Sequence, residues 1–480
     1  MDIKERERTE STRRKRRLSV IIFALFFSWL LAFPFEGRAL YAITDHYGIS
    51  ARPLIIGAMV SHFAGLLVCR FFVKSIVTAK KLILFSIVFC AAATGVFFFP
   101  PSFLWTIALY SSAFLAGACV AAWGYYFKSC TPKEDRIKTI ADCLIFSNVL
   151  MILINVTAVH ISPQSSLVFS IVILGLAFVL GLKLPREDTE IPRGKTSFTN
   201  SPANADKLGS LVFLCLFIMV ITINSGLMYQ AVNPEFVHMP LLTSWYWAVP
   251  YICALFIMRN LPRRINRSYI LYVAIAMIGF SFIAFLMLGR SWTDYLIINT
   301  LMLGACGIYD LFWWSILGEM IEYYKNPAGI IGIGLASNVF GVILGGLIGN
   351  AITAANEQII NHTLLALGIV CLTLIMLPPL HSKLIGFLKS HVYLSALSEL
   401  TAPEQAKRIQ GLNITEKFTE TESKVTFHLV QGKKYKAIAA EMSVSENTIR
   451  SHVKSIYAKA GVTSKAELSN LILNLANSSS

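Results

Sequence analysis

At 480 residues the chain is 55% hydrophobic, only 14% charged and has a mean hydropathy of +0.62, which excludes a soluble globule for most of its length. Its 42 Lys and Arg against 27 Asp and Glu leave a net charge of +15, an excess suited to nucleic acid or to anionic lipid head groups. The nine cysteines include no CxxC pair and fall almost entirely within apolar segments, so they read as small core hydrophobes.

In chain order, the basic run Arg13–Arg17 comes directly before about eighteen apolar residues, too many for a secretory signal, and no good small-residue cleavage site follows. TRRKRRL resembles a twin-arginine signal only loosely, and this segment is expected to be a retained first membrane helix with a cytoplasmic basic flank. Apolar runs of spanning length then recur at 18–36, 53–73, 82–99, 103–127, 139–160 and 166–184, and again at 208–229, 241–258, 268–289, 294–317, 328–352 and 362–381. Between the two sets of six lies a polar linker rich in Pro, Ser and Asn. The pattern implies an all-α fold: a polytopic bundle of 12 transmembrane helices, followed by a small helical domain.

Charge tests the count independently. With the N-terminus inside, the inside loops carry 25 Lys or Arg, and the opposing loops carry only Arg38, Arg52 and Arg290. An even number of crossings then puts both termini in the cytoplasm of a multi-pass protein of the cell membrane. Six plus six spans around a central loop resemble the major facilitator superfamily, although residues 69–81, CRFFVKSIVTAKK, lack that family's glycine- and aspartate-bearing loop motif.

Ionisable and amide side chains inside apolar spans are costly enough to be candidates for function. Here they are Asp310 in GIYDLFWW, His62, Glu36 at the outer end of the first span, and Asn148, Asn155, Asn224, Asn299 and Asn338; interhelical hydrogen bonding is their bland alternative. The facilitator resemblance implies that the first, fourth, seventh and tenth helices line a central cavity, which would gather Glu36, Asn224, Asn299 and Asp310 around a small-molecule ligand. Gly341, Gly345 and Gly349 form a small-residue stripe for close helix packing. Trp245, Trp247, Trp313 and Trp314 fall near span ends, where an interfacial belt is expected rather than an aromatic cage.

Beyond the membrane, residues 383–400 read as an amphipathic connecting helix and 401–413 as a linker. Tyr435–Met442 is a short helical segment. Ser445 is placed to cap a second helix whose apolar face is Ile449, Val453 and Ile456. Two short helices joined by so tight a turn form a helix-turn-helix. From Phe418 to Leu471 the stretch resembles the DNA-binding domain of LuxR-type (NarL-type) regulators. It has the Thr-x-x-Glu opening at 419–422, Gly432, the Ile438-Ala439 pair, Thr448-Ile449-Arg450 with His452-Val453, and Gly461-Val462. Thr421, Ala460 and Lys465 depart from the family pattern, none of them on the DNA-facing surface.

That resemblance implies base contacts from Arg450, Ser451 and Lys454, since arginine and lysine can donate to guanine O6 and N7 in the major groove. Lys433, Lys436, Thr448 and Lys459 are the expected phosphate contacts. A last helix over 464–475, with a Ser464/Glu467 capping box and Leu468, Leu471 and Leu475 at helical spacing, is where the family pairs two domains; packing within one domain is the alternative. No nucleotide loop, metal cluster or nucleophile triad appears in the sequence, so neither an enzyme nor a cofactor is expected.

The expected domains are therefore 1–17 (basic N-terminus), 18–184 and 208–381 (membrane halves), 185–207 (linker), 382–412 (connecting segment) and 413–480 (DNA-binding). The expected function is a membrane-bound one-component transcription regulator whose partners are double-stranded DNA, the lipid bilayer, a small-molecule ligand and a second copy of itself. A transporter with an appended autoregulatory domain is the alternative.

Overall fold

A backbone that crosses lipid must satisfy its own polar groups, and a helix does so within one segment. The computed structural model describes residues 3–35, 37–185, 203–261, 267–354, 362–380, 418–430, 433, 435–463, 467–468 and 471, and among these there is no strand. The chain divides into two units: Met1–Thr199 with Val212–Leu377, and Asn200–Leu211 with Pro378–Ser480.

The first half of the membrane unit comprises α1 (Ile3–Ala32), the short α2 (Arg38–His46), α3 (Arg52–Phe72), α4 (Ile76–Gly95), α5 (Phe103–Cys130), α6 (Arg136–His160) and α7 (Pro163–Leu182). The second comprises α8 (Ala203–Leu227), α9 (Ala248–Arg259), α10 (Arg267–Met287), α11 (Trp292–Met320), α12 (Pro327–Ala354) and α13 (His362–Leu380). Eleven helices among the described residues are long and apolar enough to cross a membrane. The twelfth expected span, α1, carries the basic run and its apolar stretch on one continuous rod. From Leu18 to Ala32 that stretch provides about 22 Å of helix, against roughly 30 Å of hydrocarbon.

Within the first half α1 packs on α6 and α7, α3 on α5, and α4 on α5 and α7; within the second, α9 and α10 pack on α11. The halves meet where α12 lies against α3 and α5, and where α9 lies against α6. Small residues allow the closest approaches. A Cβ on Gly65 would fall 2.0 Å from the carbonyl oxygen of Phe114, so α3 and α5 need glycine there. The stripe on α12 behaves as its spacing suggests, with Gly341 and Gly345 against the Met219 and Ile223 carbonyls of α8.

Two expectations are corrected here. Trp313 and Trp314 are buried instead of interfacial, because α11 continues to Met320 and carries them into the bundle. They stack on each other, and Trp314 meets Phe23, Phe27 and Trp123 across the two halves. Of the cysteines, five are buried as expected, but Cys253 and Cys371 are exposed.

The C-terminal domain comprises α14 (Glu420–Val430), α15 (Tyr435–Glu441) and α16 (Glu446–Ala460). Val425, Leu429, Ile438, Ile449, Val453, Ile456 and Leu468 form its own core. The connecting segment 382–412 and most of the linker 185–207 lie outside the described residues.

Candidate functional site

The membrane unit is most irregular where the second half begins. After α8 the chain makes a π-helical turn over Met228–Val232, then short helical turns at Asn233–Glu235 and Pro240–Thr243, with prolines at 234 and 240 interrupting regular helix. Such π turns frequently mark functional sites. This one borders a cavity of about 310 Å³ between the halves. Arg38, Tyr41, Asp45, Arg52, Ile55 and Met59 line it from the first half, and Tyr229, Gln230, Trp247, Tyr295, Asn299 and Leu303 from the second.

The cavity lies at the end of the bundle remote from the basic N-terminus. At the basic end, ion pairs and carbonyl contacts bind the halves together. Asp142 on α6 takes Arg16 of α1 at 3.1 Å and Arg259 of α9 at 2.6 Å. Arg136 pairs with Glu322 and donates to the Gly318 carbonyl at 3.0 Å. Lys128 reaches the Ile321 carbonyl at 2.9 Å, and Asn326 donates to the Arg70 carbonyl at 3.0 Å. The last contact falls on the loop that lacks the facilitator motif. Along their helices, Phe23, Trp123 and Trp314 lie between this ionic end and the cavity end.

Of the described residues singled out inside the spans, only Asn299 lines the cavity; it is 2% exposed, and its amide donates to the Tyr295 carbonyl at 3.2 Å. Asp310 is half-buried and accepts the Tyr251 hydroxyl of α9 at 2.6 Å, an interhelical bond away from the cavity. His62 is buried between α3 and α5, with Nδ1 3.2 Å from the Ala113 carbonyl and its ring edge-on to Phe35. Asn224 is buried without a hydrogen-bond partner among the described residues and does not reach the cavity. Asn155 accepts the backbone N–H of Arg38 at 3.0 Å, and Asn148 donates to its own helix. Glu36 lies outside the described residues.

Sequence reasoning missed Arg38, Asp45, Arg52, Tyr229, Gln230 and Tyr295. The available signal was charge asymmetry, since Arg38 and Arg52 are two of only three cations on the positive-poor loops. The third, Arg290, is paired with Glu235 at 3.3 Å.

In the C-terminal domain a capping box opens α14: the Thr419 N–H donates to Glu422 at 2.7 Å, and the Glu422 N–H donates to the Thr419 hydroxyl at 3.2 Å. The Glu422 carboxylate also accepts Ser455 at 2.6 Å and Lys459 at 2.7 Å, tying α14 to α16. Burial alone would raise its pKa, but the donors from Lys459, Ser455 and Thr419 outweigh it and hold the carboxyl down at about 2. α15 ends in a Schellman turn, with the Val444 N–H on the Ala439 carbonyl and Ser443 at φ 54°. Ser445 then caps α16 as expected, accepting the Thr448 N–H at 3.1 Å.

Arg450, Ser451 and Lys454 are exposed together on α16. Arg450 pairs with Glu446 at 2.8 Å and lies over the Tyr435 ring. Lys454 has no partner among the described residues. Lys433 is 2.5 Å from Glu441, and the Thr448 hydroxyl is 2.8 Å from that of Ser445. The Lys436 side chain, Gly432, Ser464 and Leu475 lie outside the described residues. Glu467 reaches back to the N–H and hydroxyl of Thr463. Leu468 is fully buried in the domain's own core, the packing alternative for that position, and Leu471 is half-buried beside it.

Over residues 416–472 the chain matches the family described as Bacterial regulatory proteins, luxR family. The C-terminal domain is a LuxR-family helix-turn-helix. Over 74 residues the chain is 38% identical to an HTH-type transcriptional regulator in the exeN 3′ region of Aeromonas salmonicida; the match spans 15% of this chain and 36% of that protein. The remainder is similar to the human organic anion transporter MFSD10 (TETRAN), with a TM-score of 0.57 at 14% identity over 76% of this chain and 99% of that one. It is also similar to the Major Facilitator Superfamily transporter FucP in its outward conformation, with a TM-score of 0.53 at 15% identity over 75% and 98%. At these identities the likeness is one of fold. A LuxR-family domain and a multi-pass membrane unit of facilitator fold thus share one chain.

Proposed function

We propose that the protein is a one-component transcription regulator of the cytoplasmic membrane, whose facilitator-fold unit binds a small molecule and thereby controls the LuxR-family domain. The observation that carries this reading is the cavity between the halves, on a chain that also holds a DNA-binding domain. The excess of Lys and Arg on alternate loops supports an orientation with both termini in the cytoplasm. Ligand acts by differential affinity for two arrangements of the bundle, and only such a difference can reach DNA.

On DNA, Arg450, Ser451 and Lys454 read base edges, while Lys433, Lys436 and Thr448 hold phosphates. Lys459 reaches a phosphate only with the ammonium protons that Glu422 leaves free. Two copies pair on a two-fold operator through the helix that carries Leu468, Leu471 and Leu475.

Chromatin immunoprecipitation of the full chain tests the reading: discrete sites enriched in wild type and lost in Arg450→Ala support it, and absence of any enrichment rejects it. The cavity and its opposed set of breakable ion pairs also favour a second reading, transport with autoregulation. Concentrative uptake into vesicles by the purified chain would establish that alternative.

A further inference from the structure

The positive-poor end of the bundle carries three cations in its loops, and their fates differ. Arg290 is neutralised by Glu235 and donates to the Phe285, Leu288 and Gly289 carbonyls. Arg38 and Arg52 have no carboxylate partner among the described residues, and both line the cavity. Each is also the first residue of a helix, α2 and α3 respectively, and neither N-cap supplies a side-chain acceptor. The N-terminal end of a helix already carries partial positive charge, so an arginine there is on the unfavourable side of the macrodipole. A stabilising role does not account for two such placements around one cavity. An anion bound between them does.

We propose that the cavity takes small organic anions, with the Arg38 guanidinium anchoring the anionic group and the aromatic and aliphatic wall opposite holding an apolar body. This rests on the regulator reading only for its consequence in transcription; the binding itself stands on the cavity. Arg38 is half-buried, and it and Tyr295 of α11 line the same cavity, so the anchor and the opposite half face one volume. Phe236 and Tyr246 pack on Tyr295 with ring centroids 5.1 and 6.1 Å away, extending an aromatic wall behind it. Asn299 supplies a neutral polar group one helical turn along. Asp45, the one acid on the lining among the described residues, opposes an anion and sets the sign of a second test. The volume of about 310 Å³ falls at the small end of ligand pockets.

The full chain in nanodiscs, followed by tryptophan fluorescence, is titrated with 4-phenylbutyrate, its amide and 4-phenylbutylamine. Trp247 lies on the lining, and loss of the signal in Trp247→Phe locates the response. The carboxylate is expected to bind at least tenfold more tightly than the amide or the amine. Arg38→Gln, whose parent side chain makes no hydrogen bond or ion pair among the described residues, should bring the carboxylate to the level of the amide without lowering the melting temperature. Asp45→Asn should tighten the carboxylate severalfold. Equal binding of carboxylate and amide, preference for the amine, an undiminished preference in Arg38→Gln, or no binding of any probe at 10 mM would each overturn the proposal. A promoter reporter separates the two readings. Arg38-dependent binding with no change in transcription sinks the regulator reading and leaves the anion site standing.

Discussion

The two ends of the membrane unit use the same kind of residue in opposite ways. At the basic end Arg16, Arg136 and Arg259 each meet a carboxylate, and the halves are held together there. At the other end Arg38 and Arg52 meet none among the described residues, and the halves part around a cavity. The C-terminal domain repeats the division on one helix, where Lys459 is tied to Glu422 and Lys454 has no partner among the described residues. A cation satisfied inside the chain holds shape, and one left unsatisfied is available to something outside it.

Removing a carboxylate from a paired cation should therefore have the largest effect on stability. Asp142→Asn leaves Arg259 without its carboxylate and Arg16 with only Asp135, 3.5 Å away. The Arg16 and Arg259 side chains are 18% and 29% exposed, so the cost is discounted from the fully buried range to about 2 kcal/mol. A lower melting temperature in detergent checks this; an unchanged one would dissolve the contrast between the two ends.

The exposed cations of α16 should behave in reverse, changing recognition and leaving stability alone, since the Arg450–Glu446 pair is a solvent-screened surface contact. Lys454→Ala and Arg450→Ala should each cost about 1 to 3 kcal/mol at the preferred base of each half-site. The fragment 413–480 should keep its unfolding midpoint in both. Competition binding with operator variants measures the first quantity, and circular dichroism the second. If Arg450→Ala leaves the ranking of operators unchanged, α16 does not read bases through that residue.

Glu422→Gln sharpens the comparison within the C-terminal domain, with an expected loss of about 1 to 2 kcal/mol because Lys459 keeps part of its hydration. The sign with pH follows from linkage. The folded carboxyl titrates at about 2 against an ordinary 4.5, so its stabilisation is complete above 4.5 and is lost as the pH falls from there toward 2. In Glu422→Gln that segment of the stability profile should flatten. The smallest effect is a gain: Ser443→Gly should relieve the left-handed φ of 54° and stabilise the fragment by under about 1 kcal/mol, read from urea unfolding.

Most of the architecture was legible in the sequence because its signals are local. Twenty-residue apolar runs announce spans, and the Thr419/Glu422 box, the Ser445 cap and the Ile449–Val453–Ile456 face all reappear as contacts. The ligand site was less legible, since a cavity is formed by residues distant in sequence. Asp310 drew attention as a charge in a span, but nothing in the sequence indicated that Tyr251, 59 positions earlier, would take it up. Arg38 and Arg52 looked like ordinary loop cations. What distinguishes them is that both line the cavity with no carboxylate partner among the described residues, a property of three-dimensional neighbours. Trp313 and Trp314 were misplaced because the apolar run fades before α11 ends.

The central claim is that the state of the membrane unit governs the DNA-binding domain, and it can be tested without knowing the ligand. Asp142→Asn weakens the basic end of the bundle and leaves the sequence of the DNA-binding domain unchanged. Chromatin immunoprecipitation of wild type and Asp142→Asn at matched membrane abundance compares occupancy at the same sites. The account predicts a change in occupancy at those sites with their identity preserved. Identical occupancy in the two strains, with the loss of thermal stability confirmed in the variant, would contradict it.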